Sequence, residues 1–138
     1  MKQLIVLCAV FILIAAILLQ IPLEMANYEN RHAVMFYVNN AKEMAKQEGY
    51  YTDEILSDLK SNIAKKMKIN DEEIIIGKST TKTIKYRPEK FDEREVIYLK
   101  VSVPFKNILA ASHFLGIVND KGYYIIEEIA TSEKLRNN

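Results

Sequence analysis

The sequence predicts an α+β chain: an N-terminal transmembrane helix that continues into a long helix, a second amphipathic helix, and a three- to four-stranded antiparallel sheet. Three observations carry that prediction. Leu4–Leu19 is sixteen consecutive apolar residues. From Glu24 to Glu48 no Pro or Gly interrupts a run rich in Ala and Met, both good helix formers. After Asn70-Asp71, a turn signal, the apolar period drops from three-to-four residues to two.

The first element begins behind Lys2 and Gln3. Extended through Gln20, Ile21, Pro22 and Leu23, the apolar run reaches about 20 residues, the length that crosses a hydrocarbon layer roughly 30 Å thick. It is longer than the roughly 7–15 apolar residues of a secretory signal. Its exit at Glu24-Met25-Ala26 puts a carboxylate where a cleavage site wants a small residue. The expectation is therefore an uncleaved anchor over residues 1–23 and an extracytoplasmic α+β domain over residues 24–138. Lys2 precedes the span, and Arg31 is the first cation after it, beside Glu24 and Glu29. The bias of Lys and Arg toward the cytoplasm then puts the amino terminus inside and the domain outside a cell membrane that is crossed once.

Past the span, Val34, Tyr37, Val38, Ala41, Met44 and Ala45 recur at three- and four-residue steps and mark one apolar stripe. Gly49 suits the left-handed position that closes a helix. Pro22 is expected either to kink the junction or to sit where the chain leaves the bilayer. Thr52 is a good N-cap for a second helix, with Asp53 and Glu54 on its first turn. Ile55, Leu56, Leu59, Ile63 and Met67 give that helix one buried face. Lys65, Lys66 and Lys68 suit the negative end of its dipole.

Glu72–Ile76 opens a β-branched run, and Thr80–Arg87 alternates as a further strand would. Residues 89–95 are polar enough for a loop. Val96–Phe105 is the clearest strand, with Ile97, Leu99, Val101, Val103 and Phe105 on one face. Tyr123–Ala130 closes the sheet, and either Glu127 or Glu128 within it has to face inward or line an edge. Between the last two strands, Ile108, Leu109, Phe114 and Leu115 make an apolar connection where a polar one is expected. Two readings stand: contact with a neighbouring subunit or lipid headgroups, or a short core helix plugging the sheet end.

Chemistry-bearing groups are sparse. Lys2 is the only charged side chain before Glu24, so residues 24–138 carry 18 basic and 18 acidic groups. That balance provides no clustered basic face for nucleic acid. No cysteine follows Cys8, so the domain has no internal disulfide and depends on its core. Two histidines, His32 and His113, stand apart from metal-ligand spacing. Four scattered glycines make no phosphate loop, and no serine has the flanks of a nucleophile elbow. The expectation is a non-enzyme without catalytic, cofactor-binding or metal residues. Val34, Tyr37, Ala41, Met44, Ile108, Leu109, Phe114 and Leu115 are its candidate partner interface.

Val101-Ser102-Val103-Pro104-Phe105-Lys106-Asn107-Ile108-Leu109, then Phe114-Leu115-Gly116, then Ile129-Ala130-Thr131-Ser132-Glu133, resembles the tail of TadE-like proteins. These are pilin-like membrane proteins of tight-adherence (Flp) pilus systems. The resemblance implies a pilin-like fold and a role as a minor pilin-like or assembly protein of a surface pilus or related export apparatus. Implied partners are membrane lipid and other pilus or secretion subunits, in a homo- or hetero-oligomer built through the N-terminal helix, with no nucleic acid. One departure is the absence, in Met1–Leu7, of a small residue followed four positions later by glutamate beside an aromatic. This implies a divergent minor component that stays uncleaved. A single-pass scaffold subunit of a conjugation or type IV secretion channel is the other reading that suits the same layout.

Overall fold

In the computed structural model, which describes residues 1–87, 95–106 and 121–136, the apolar run and the following helix are one element. Helix α1 spans Lys2–Glu48, 47 residues, or about 70 Å of continuous helix. It passes through Pro22 without interruption. It stops at Gly49, whose φ of 83° is the left-handed cap, and the Gly49 N–H donates to the Ala45 carbonyl at 2.7 Å. A Cβ at Gly49 would lie 2.3 Å from the Lys85 carbonyl oxygen, so both backbone angle and space demand glycine.

Helix α2, Asp53–Met67, turns back along α1. The Thr52 hydroxyl accepts from the Ile55 N–H at 3.1 Å, the cap its sequence predicts. Lys68 ends the helix in the left-handed region at φ 54°. Ile55, Leu56, Leu59, Ile63 and Ala64 are buried on one side, against Val34, Val38, Ala41 and Ala45 of α1.

A three-stranded antiparallel sheet covers this helical pair. Strand β1 is only Ile75–Ile76, following a 3-10 turn at Asp71–Glu73; β2 is Val96–Lys106 and β3 is Lys121–Thr131, in the order β1-β2-β3. Ile97, Leu99, Val101 and Val103 are fully buried, as period-two alternation requires. The register sets Ile97 opposite Ala130, Leu99 opposite Glu128, Val101 opposite Ile126 and Val103 opposite Tyr124. Those β3 residues therefore share the inner face.

Thr80–Arg87, expected as a further strand, is not one. The hydroxyls of Thr81 and Thr80 accept from the N–H groups of Tyr98 and Lys100 at 2.9 and 3.4 Å. Thr81 adds one backbone bond to the Tyr98 carbonyl, then Lys85 donates to Gly49 and Arg87 to Lys134. The segment covers the β2 edge largely with side-chain oxygens, so no ladder forms. The expected loop at residues 89–95 lies outside the described residues except for Glu95, and so does the apolar connection carrying Ile108, Leu109, Phe114 and Leu115.

Strand β3 ascends alongside α1. The Tyr124 hydroxyl donates to the Asn27 carbonyl at 3.4 Å, Lys42 pairs with Glu128 at 2.9 Å, and the Glu133 N–H donates to the Lys46 carbonyl at 2.8 Å. Nine residues of extended chain and nineteen of helix both advance about 30 Å. The two elements therefore keep pace from the span outward.

Candidate interaction surface

Within Leu4–Leu19 no side chain is buried, and α1 is long and apolar enough there to cross a membrane. The exposed stripe does not end with the span. Ile21, Met25, Tyr28, His32, Met35 and Phe36 follow at three- and four-residue steps, all exposed; Tyr28 and Phe36 are 66% and 60% accessible. The Tyr28 and His32 rings meet edge to face at 4.3 Å. A solvated helix face carries polar side chains at such positions, whereas this one, His32 excepted, continues the apolar character of Leu4–Leu19.

Strand β3 adjoins that stripe and is the sheet's last strand among the described residues. Gly77 and Thr81 donate to the carbonyls of Lys100 and Tyr98, so the even-numbered β2 residues turn toward β1. The odd-numbered ones bond β3 at its even positions. The backbone N–H and C=O groups of Tyr123, Ile125, Glu127 and Ile129 consequently point away from the sheet. Their side chains occupy the outer face, where Ile125 and Ile129 are 60% and 63% accessible. A long edge with apolar side chains is a template for pairing with another chain. Between this edge and α1 lies a shallow groove of about 630 Å³, bordered by Arg31, Met35, Tyr123 and Ile125.

Charge frames this surface in pairs. Lys100 bonds Glu127 on the outer face, raising the lysine's pKa and lowering the carboxyl's. The Tyr98 hydroxyl also bonds that carboxylate. Glu128 turns inward and takes Lys42, both about one-quarter or less accessible. Lys46 bonds Glu133 and Glu43, which raise its pKa. The charges are thus neutralised locally, leaving the apolar stripe and the strand edge as distinguishing features.

The four α1 residues named from sequence fall on two sides. Val34 and Ala41 are 0% and 2% accessible and belong to the chain's own core; their burial assigns them to α2 and the sheet rather than to another protein. Tyr37 is partly buried against the same core, and Met44 is exposed. Ile108, Leu109, Phe114 and Leu115 lie outside the described residues. Sequence reasoning passed over Met25, Met35, Phe36, Ile125 and Ile129. The signal for the first three was present as a second three-to-four-residue stripe on the same helix. Among the described residues, no group of three His, Cys, Asp or Glu side chains is close enough to hold a metal. No protein-family model, curated protein or solved structure matches the chain.

Proposed function

We propose that this chain is a membrane-anchored, non-catalytic assembly subunit, of the minor pilin-like kind, that holds an α+β head outside the cell for packing against other subunits of a surface pilus or related export apparatus. The single observation supporting this is the exposed stripe, apolar but for His32, that runs from the span into the head beside β3, the last strand of the sheet among the described residues. Neighbouring helices packed along such a stripe would bury it from bilayer to head, and the strand edge adds directional backbone bonding. The resemblance of residues 96–133 to TadE-like proteins points the same way. The positive-inside bias supports a cytoplasmic amino terminus.

The test is size and cross-linking in mild detergent, from membranes of the native host. The wild-type chain should be recovered in a complex larger than its own monomer. Phe36→Asp combined with Ile125→Asp should release monomer while circular dichroism and the thermal midpoint stay near wild type, because both sites are exposed. A monomeric wild type, or a double variant that stays fully assembled, would contradict the proposal.

A further inference from the structure

The end of the head nearest the span is built from residues far apart in sequence. The Tyr124 hydroxyl reaches the Asn27 carbonyl, and the Phe105 and Tyr124 rings stack at 4.1 Å with an interplanar angle of 8°. Gly122 leaves room for that ring, since a Cβ there would lie 2.5 Å from Phe105. Met67 and Ile69, where α2 ends, share a groove with Leu23, Ala26 and Phe105. Tyr123, on the outer face, is 50% accessible at the same end of β3.

The unbroken helix sets the height of this end. Counted from Leu4, about 20 residues cover the roughly 30 Å hydrocarbon layer and end near Leu23; the headgroup zone adds roughly 5–7 Å on each side. Asn27, four residues past Leu23, stands about 6 Å farther along the axis. Tyr124 borders Met25 and Tyr28, and Phe105 borders Leu23 and Ala26, which puts both rings at headgroup depth; Tyr123 is the residue before Tyr124 on β3. Amphipathic aromatics are the side chains this depth favours.

We infer that the underside of the head, lined among the described residues by Met67, Ile69, Phe105, Tyr123 and Tyr124, is a second membrane contact that seats in the headgroup zone of the bilayer that α1 crosses. The inference rests on the anchored reading of α1. Continuity with the span selects lipid as the occupant. Cations and anions are mixed at this level, with Arg31, Lys68 and the paired strand ends Lys106 and Lys121 alongside Glu24, Glu29 and Glu73. The contact inferred is made by apolar and aromatic side chains, so zwitterionic lipid suffices to test it.

The chain contains no tryptophan, so single-Trp variants each report one depth. Full-length protein carrying Phe11→Trp, Tyr28→Trp, Phe105→Trp, Tyr123→Trp or Phe36→Trp is reconstituted in phosphatidylcholine vesicles containing lipid brominated or spin-labelled at graded depths. Tyr123 is exposed, so that variant tolerates the larger ring even where Phe105→Trp disturbs the stack. The expected result is that Tyr123→Trp, and Phe105→Trp if folded, are blue-shifted and quenched by shallow labels to the extent of Tyr28→Trp. Phe36→Trp, about 20 Å beyond Leu23, stays unquenched. If Tyr123→Trp and Phe105→Trp behave like Phe36→Trp while Phe11→Trp is quenched by deep labels, the second contact is overturned and the anchor stands. If Phe11→Trp is not quenched, the anchored reading falls and takes this inference with it.

Discussion

Tyr51 buries its ring to 1% accessibility, yet its hydroxyl has no hydrogen-bond partner among the described residues. Burial pushes the phenol's pKa up, and the carboxylates of Glu128 and Glu43 push the same way, so the group stays neutral through the physiological range. A buried hydroxyl without a partner costs about 1–3 kcal/mol of desolvation. Tyr51→Phe should therefore raise stability, by roughly 1 kcal/mol, in a urea or thermal unfolding curve. A clear loss would show that the hydroxyl is bonded. Glu127 behaves oppositely: bonds from Lys100 and Tyr98 hold its carboxyl below the ordinary value of 4.5. A carboxyl depressed on folding contributes stability that is complete above the unfolded pKa and is lost as pH falls through the lower folded one. Lowering pH from 7 toward 3 should weaken the head through this group, and Glu127→Gln should flatten that part of the profile. Side-chain carboxyl shifts in a ¹³C titration would check the direction. Lys100, raised by the same pair, loses its share only at alkaline pH, as the solution passes upward through its elevated folded value.

Gly49 joins α1 to the turn that starts α2, and its positive φ and the nearby Lys85 carbonyl leave no place for a side chain. Gly49→Ala should cost about 2 kcal/mol or more, because the left-handed strain and the backbone clash act together. A thermal midpoint unchanged in that variant would mean the cap relaxes freely. This closure was readable from sequence, as were the Thr52 cap and the alternation of β2, because each depends on a few adjacent residues. What escaped sequence reading depends on the neighbour rather than the element. Residues 25–45 of α1 carry two apolar stripes, Val34/Val38/Ala41/Ala45 and Met25/Tyr28/Met35/Phe36. Periodicity marks both without saying which the chain covers itself. Thr80–Arg87 alternates like a strand, but its threonine hydroxyls bond β2 in place of a backbone ladder. Glu127 and Glu128 differ in orientation only because β3 takes its parity from β2, and pairing register is not written in either strand alone.

Across the whole molecule, one rod joins an apolar half long enough to cross a membrane to a half that packs into the head, and β3 climbs beside it. Pro22 lies inside α1, and the Pro-Gly-free stretch from Glu24 to Glu48 offers no break before Gly49. Because α1 is one continuous helix, the azimuth of the head is tied to that of the apolar half. Inserting a single alanine between Leu23 and Glu24 would turn the head by about 100° and lift it about 1.5 Å, whereas four would bring it back to within about 40° of its starting azimuth. A neighbour that gripped the apolar half would thus also set the compass bearing of the head.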